Sequence, residues 1–120
     1  MKIESYKNLK VWEKSVELVV LIYGLTGKFP KEELYGLVSQ IRRAAISIPS
    51  NVAEGSRRGS RKDFRHFLLN AFGSGSELET QIIIAKKLSF GEFPDFVRID
   101  AALDEVMRML NGLIKKLEGK

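Results

Sequence analysis

Apolar and small residues recur at alternating spacings of four and three along two long stretches of this 120-residue chain. Such a spacing places about one side chain per turn on a single face of an α-helix. The two seams consist of Phe64, Leu68, Ala71, Gly75, Leu78, Ile82 and Ala85, and of Phe96, Ile99, Leu103, Val106, Leu110, Leu113 and Leu117. A chain with two such seams buries them most simply against other helices, which predicts a helical bundle.

Two further helices are predicted before these seams. Helix one, roughly residues 7–25, has a stripe of Leu9, Trp12, Val16, Val19 and Tyr23 and beside it a second line of Val11, Leu18, Ile22 and Leu25. Helix two begins near Glu32 and carries on one face Leu34, Leu37, Ile41, Ala45, Ile48 and Val52. Pro49 lies inside this second pattern, where its missing backbone donor predicts a kink and not a stop.

The segments that connect the helices predict the relative directions of neighbouring helices. Ser60 followed by Asp63 is a near-match to a capping box at the start of helix three, and Gly91 and Pro94 lie in a short connection to helix four. Short connections make neighbouring helices antiparallel, and no segment alternates with the period of a strand. We therefore predict one all-α domain over residues 1–120, an antiparallel up-down-up-down four-helix bundle with helix two kinked at Pro49. Residues 1–6 are a candidate for a loose N-terminal arm.

The residue types that most catalytic and metal sites need are scarce. There is no cysteine, and His66 is the one histidine, so thiolate chemistry and multi-histidine metal sites are excluded within one chain. The run GSRRGSRK at residues 55–62 lacks the Gly-Lys-Ser/Thr end of a phosphate-binding loop. We expect no enzymatic activity, no cofactor and no metal. The N-terminus has no apolar signal-peptide core and no segment could span a membrane, which predicts a cytoplasmic protein.

The positive charge of the chain is concentrated in one segment. Residues 40–65 carry seven basic side chains against Glu54 and Asp63, 7 − 2 = +5, which equals the net charge of the whole chain. These candidate nucleic-acid-binding residues are Arg42, Arg43, Arg57, Arg58, Arg61, Lys62 and Arg65. These residues predict contacts mainly to the phosphates of RNA or DNA. Few contacts to the bases are expected, because no aromatic residue lies among residues 57–62 for the bases to stack on. The alternative is a solvated helix end, and Arg42 or Arg43 is expected to pair internally with Glu54, Glu77 or Glu79.

Two features predict close contacts between helices and between copies of the chain. Apolar residues outside the seams, including the doubled stripe of helix one and Phe67, Phe72, Ile83 and Ile84 of helix three, predict self-association. The alternative is a single bundle with a wider core. Small residues at 73–76 predict the close approach of another backbone, with the kinked part of helix two as the candidate.

Several motifs together resemble a known family of four-helix-bundle proteins. They are YKNLKVW at 6–12, FPKEELYGL at 29–37, SQIRRAA at 39–45, SIPSNVAEG at 47–55 and GSELETQ at 75–81. The family is that of proteins encoded in intervening sequences of bacterial 23S ribosomal RNA genes, also called S23 ribosomal proteins. Its relatives include the accessory variability determinant protein of diversity-generating retroelements, which works beside a reverse transcriptase. The resemblance implies a ring-like homopentamer with a basic surface and RNA or DNA binding.

Two functional hypotheses follow from the residues and the resemblance. The first is a non-catalytic, oligomeric nucleic-acid-binding protein of the 23S rRNA intervening-sequence type. The second is a protein–protein adaptor, for example an accessory subunit of a reverse transcriptase in a diversity-generating retroelement. The expected partners are further copies of the chain, nucleic acid, and a reverse transcriptase or another protein, without a membrane.

Overall fold

The computed structural model describes residues 5–118, which form four α-helices and two short 3₁₀ turns. The helices are α1 (Lys10–Thr26), α2 (Leu37–Ser56), α3 (Arg61–Lys87) and α4 (Phe93–Lys116), and the 3₁₀ turns are Tyr6–Asn8 and Lys31–Glu33. Helix α1 contacts α2 and α4, and α3 contacts the same two helices, so the four helices surround one core. No strand occurs within the described residues. The predicted all-α class and four-helix bundle are confirmed.

The seams predicted for α3 and α4 form the inner faces of these helices. All seven seam residues of α3 are buried, as are six of the seven in α4. Leu113 is half-buried, and the neighbouring Ile114 is buried instead near the end of α4. A regular seam identifies the core face because the spacing of residues along an α-helix is a local property of its backbone.

The face of helix α1 that is buried in the core is not the stripe that begins with Leu9 and Trp12. The buried line is the second one, Val11, Leu18, Ile22 and Leu25, and Ser15 lies within it. Ser15 fits there because its hydroxyl donates to the carbonyl of Trp12 at 2.9 Å. Trp12 is half-buried on the flank, where its ring meets Tyr6 edge-on at 5.2 Å between centroids. The sequence pattern left open which of the two stripes is buried, and the large amphipathic ring of Trp12 suits a partly exposed flank.

Helix α2 begins later than predicted. It starts at Leu37, because Gly36 has the non-helical angles φ −112° and ψ −110° and separates α2 from the preceding 3₁₀ turn. Leu34 therefore lies outside α2 and is exposed, although it was expected on the core face. The remaining predicted α2 positions are buried, apart from the half-buried Leu37.

Pro49 lies inside α2, which continues beyond it to Ser56. The side-chain amide of Asn51 donates to the carbonyl of Ser47 at 2.8 Å and to its hydroxyl at 3.0 Å. The kink at Pro49 and the up-down-up-down order of the helices stay predictions. Residues 1–4 of the predicted N-terminal arm lie outside the described residues, while Tyr6 begins the first 3₁₀ turn.

The two glycines in the middle of α3, Gly73 and Gly75, do not accommodate a neighbouring backbone, which corrects the prediction at these two positions. Gly73 faces open space, and a Cβ on Gly75 would collide with the sulfur of Met107 on α4. The tight approach of α2 to α3 occurs at Gly55, where a Cβ would lie 2.6 Å from the Cβ of Phe67. Ser74 does meet α2, through a hydrogen bond of 2.8 Å between its hydroxyl and that of Ser47.

Candidate nucleic-acid interface

The seven basic residues predicted from the sequence fall into two separate groups. Arg42 and Arg43 lie in the first half of α2, fifteen and fourteen residues before Arg57. At 1.5 Å per helical residue, this separation is roughly 22 Å along the helix. The other five residues surround the turn from α2 to α3. The charge that is continuous in the sequence is therefore divided in space.

Arg42 is held by α1 and not by a carboxylate. Its Nε donates to the hydroxyl of Thr26 at 2.9 Å, and its guanidinium carbon lies 4.2 Å from the centre of the Tyr23 ring. Thr26 in turn donates to the carbonyl of Ile22 at 2.8 Å. The expectation of an internal carboxylate partner was wrong, because a hydroxyl and an aromatic face take that place. Arg43 is exposed.

The turn between α2 and α3 projects basic side chains beyond the bundle. Gly59 has φ +86°, the left-handed conformation that glycine adopts without strain. The hydroxyl of Ser60 then accepts from the backbone N–H of Asp63 at 3.1 Å, which starts α3 as predicted. Arg57, Arg58 and the residues at 60–62 are all exposed.

Helix α4 ends against the start of α3 and adds two basic residues that the sequence pattern did not single out. Arg61 donates to the carbonyl of Lys116 at 3.0 Å, and Arg65 donates to the carbonyl of Ile114 at 3.3 Å. These bonds satisfy carbonyls in the last turn of α4, whose negative dipole end favours cations. They also bring Lys115 and Lys116 to the same end of the molecule. Their signal in the sequence was a basic last turn, which becomes informative only once α4 is known to end beside α3.

We name this cluster the basic end, and it comprises Arg57, Arg58, Arg61, Lys62, Arg65, Lys115 and Lys116. The acidic residues in the same segments, 54–65 and 114–118, are Glu54, Asp63 and Glu118, so the net charge is 7 − 3 = +4. Glu54 is engaged by Arg58, whose guanidinium donates to it at 3.0 Å. The basic end therefore keeps a positive excess drawn from two distant parts of the chain.

Aromatic rings also lie at the basic end, although none occurs within residues 57–62. The guanidinium carbon of Arg57 lies 5.2 Å from the centre of the Tyr6 ring, and that of Arg58 lies 4.7 Å from the centre of the Phe67 ring. His66 is exposed and meets Phe67 edge-on at 5.7 Å. Tyr6 could not be anticipated from the sequence, because it comes from the 3₁₀ turn before α1.

Two other exposed surfaces carry apolar side chains. An open groove of α1 and α2 is lined by Tyr23, Leu34, Tyr35, Arg42, Arg43 and Ile46, among others, and Tyr35 is 93% exposed. A second groove between α3 and α4 is lined by residues that include Phe72, Ile83 and Met107 with the acidic Glu79, Asp100 and Asp104. Within residues 5–118, no group of three or more His, Asp or Glu side chains could hold a metal ion. In the same part of the chain, no helix combines the length and apolar character needed to cross a bilayer.

Comparison with known proteins identifies the family. No curated protein matches the chain. A solved structure from Bacteroides thetaiotaomicron, described as a protein with unknown function from the S23 ribosomal protein family, is similar with a TM-score of 0.80. It is 26% identical in sequence, and the alignment covers 88% of this chain and 95% of that one. The family model described as 23S rRNA-intervening sequence protein matches residues 7–112, nearly the whole bundle. The chain therefore belongs to the 23S rRNA-intervening sequence protein family.

Proposed function

We propose that the protein is a non-catalytic nucleic-acid-binding protein whose basic end contacts the phosphates of RNA or DNA. The observation that carries this proposal is the convergence of basic side chains from the α2–α3 turn and from the end of α4. A surface with a net charge of several units attracts a polyanion and displaces its condensed counterions. A cytoplasmic location goes with this proposal.

Among the described residues, four members of the basic end form no ion pair, and one of them lies where a positive charge is unfavourable. Arg61 and Arg65 cap α4, and Arg58 pairs with Glu54. Within residues 5–118, by contrast, no ion pair involves the remaining members, which are Arg57, Lys62, Lys115 and Lys116. Lys62 also lies in the first turn of α3, where a positive charge opposes the helix dipole. A positive charge that has no ion-pair partner and lies at the N-terminus of a helix is explained if it binds an anionic ligand.

Self-association is part of the proposal. Large apolar side chains are exposed on both grooves, on α1 and at the start of α4, and the most exposed of them are Val20, Tyr35 and Phe93. Burial of such side chains in contacts between copies would favour association. A closed ring of copies would repeat the basic end around the ring and enlarge the electrostatic footprint. The family resemblance favours five copies.

Binding to labelled RNA and DNA oligonucleotides over a range of salt concentrations tests the proposal. The double variant Lys62→Ala, Lys115→Ala removes two basic groups without breaking the caps on α4. Each contact with a phosphate of a single strand contributes about 0.7 to the slope of log affinity against log salt concentration. If both groups make such contacts, the double variant should make this slope shallower by about 1.4. Fluorescence anisotropy measures both the affinity and the slope.

Arg43→Ala is the matched control, because Arg43 is also an exposed basic residue but lies outside the basic end. It should leave the salt slope unchanged. A salt-independent affinity, or an equal effect of the control and the double variant, would contradict the proposed interface.

A second candidate function is that of a protein–protein adaptor, for example an accessory subunit of a reverse transcriptase or of another polymerase. The groove of α1 and α2 supports it, because exposed tyrosines beside arginines are the residue types that dominate protein interfaces. A reverse transcriptase gene beside this gene would favour the adaptor, and a position inside a 23S rRNA gene would favour the first proposal. Recovery of a specific polymerase in a pull-down, with no binding of free nucleic acid, would reverse the order of the two.

A further inference from the structure

The basic end differs from a simple cationic patch in having two arginines that lie on aromatic rings. The guanidinium carbons of Arg57 and Arg58 lie 5.2 and 4.7 Å from the centres of the Tyr6 and Phe67 rings. Both rings are half-buried and fixed by neighbours: Tyr6 by the edge of Trp12, and Phe67 by its packing against Gly55. The two guanidinium groups are therefore supported by the fold, unlike those of freely rotating surface arginines.

A supported guanidinium group offers a second kind of contact besides phosphate binding. The Arg58 side chain is 47% exposed, and Arg57 is also exposed, so each can still be reached from solvent. An aromatic ring holds the guanidinium by cation–π attraction and reduces the rotamer freedom lost when a ligand binds. Arginine planes stack on nucleobases as aromatic rings do, and lysine cannot replace them in this role.

Stacking of this kind distinguishes unpaired from paired nucleic acid. In a duplex the faces of the bases are covered by their neighbours, so a protein reaches only phosphates, sugars and base edges. In a single strand the base faces are free and can stack on a protein surface while basic groups follow the phosphates. The basic end has both elements, with Lys62, Lys115 and Lys116 at the same end of the bundle as the two supported arginines.

We propose that the ligand of the basic end is single-stranded nucleic acid, with unpaired bases stacked on Arg57 and Arg58 and phosphates bound by the surrounding lysines. This inference rests on the proposed nucleic-acid-binding function and adds the class of ligand. It also replaces the sequence-based expectation that bases would contribute little. The contribution of the bases is one of stacking and carries no sequence specificity.

Three labelled probes of equal length test the inference: a single strand, the corresponding duplex, and an abasic strand that keeps the phosphates but lacks the bases. They are used with the full chain over one common range of salt concentrations, in RNA and DNA forms of the first two. We expect the base-bearing single strand to bind at least about fivefold more tightly than the abasic strand, which corresponds to the lower end of measured stacking contributions. Equal affinities for these two strands, or tighter binding of the duplex, would overturn the inference.

The double variant Arg57→Lys, Arg58→Lys separates stacking from charge. It keeps the net charge and both residues are exposed, so the fold and the salt slope should be retained. We expect it to remove most of the preference for the base-bearing strand over the abasic one. Tyr6→Leu, which removes one supporting ring and no charge, should act in the same direction. An unchanged preference in the lysine variant would show that Arg57 and Arg58 only cover the aromatic rings.

The failure of this inference is distinguishable from failure of the proposed function. If none of the three probes binds, both are wrong. If all three bind with the same affinity and a steep salt slope, the protein binds phosphates as proposed, and only the stacking of unpaired bases is refuted.

Discussion

Individual glycines of this chain have opposite roles that their spacing does not reveal. Gly55, near the end of α2, is buried where α2 meets α3, and its missing side chain leaves room for Phe64 and Phe67. Gly73, in the middle of α3, is exposed and has no neighbour that a methyl group would meet. The first glycine is required by packing, while the second only costs helix stability.

Alanine substitutions at these two positions should change stability in opposite directions. Gly55→Ala places a Cβ 2.6 Å from the Cβ of Phe67, and the resulting overpacking should lower the free energy of unfolding by about 1–3 kcal/mol. Gly73→Ala should raise the same free energy by about 0.5–1 kcal/mol, because alanine is the better helix former. Urea denaturation followed by circular dichroism measures both. Equal effects of the two substitutions would contradict this account of the α2–α3 contact.

At the scale of the helices, polar contacts join the ends of neighbouring elements around the apolar core. At the basic end, Arg61 and Arg65 join α3 to the last turn of α4. Elsewhere, Lys28, just after α1, donates to the carboxylate of Asp95 in the first turn of α4 at 2.9 Å. Asp95 also accepts from Arg98 at 3.3 Å. These links join the last turn of α4 to the start of α3, and the first turn of α4 to the end of α1.

The Lys28–Asp95 pair should make stability depend on pH. The hydrogen bond from Lys28 is the main cause that holds the pKa of Asp95 below its ordinary value of 3.8. A lowered carboxyl pKa stabilises the fold above pH 3.8, and this contribution is lost as the pH falls through the lowered value. The same bond raises the pKa of Lys28 above 10.5, so its contribution is complete below pH 10.5 and is lost above the raised value.

Asp95→Asn should therefore lower the urea midpoint of unfolding at neutral pH and have a smaller effect at acid pH, once the pH falls below the lowered pKa of Asp95. The matched control is Asp104→Asn, which removes an ion pair with Arg108 within α4. That exposed pair joins no other helix, so its removal should change the midpoint less at every pH. A difference between wild type and Asp95→Asn that stays constant from neutral to acid pH would contradict the proposed linkage.

At the scale of the whole molecule, the apolar surface exceeds what the single bundle covers. Phe93 is 79% exposed near the start of α4, and Ile83 and Ile84 are exposed on α3. The groove of α1 and α2 carries two arginines, whereas the groove between α3 and α4 carries Glu79, Asp100 and Asp104 beside Lys86. Because the two grooves carry opposite charges and lie on different helix pairs, one groove of a copy suits contact with the other groove of the next copy. Such head-to-tail contacts form a closed ring when the rotation from copy to copy adds up to a full turn.

Light scattering at micromolar concentration should report a mass of about five times the 13.6 kDa of one chain, the number implied by the family resemblance. Added salt should leave the assembly intact, because burial of apolar side chains is its main stabilisation. The double variant Ile83→Asp, Ile84→Asp should reduce the mass. Asn70→Asp, at an exposed polar position on the same helix, is the matched control and should not change it. A stable monomer of the wild-type chain would refute self-association.

The sequence by itself determined the helices and most of their inner faces. The seam of α3 and the Ser60 cap could be identified from residue spacing, because helix period and capping depend on groups within a few residues of one another. Only the tertiary structure decided which stripe of α1 faces the core, that Met107 fills the space beside Gly75, and that Arg42 binds Thr26. It alone also brought Tyr6, Lys115 and Lys116 to the basic end. These outcomes depend on contacts between residues far apart in the chain, where shape and hydrogen-bond geometry select the partner, and a local pattern carries no information about that choice.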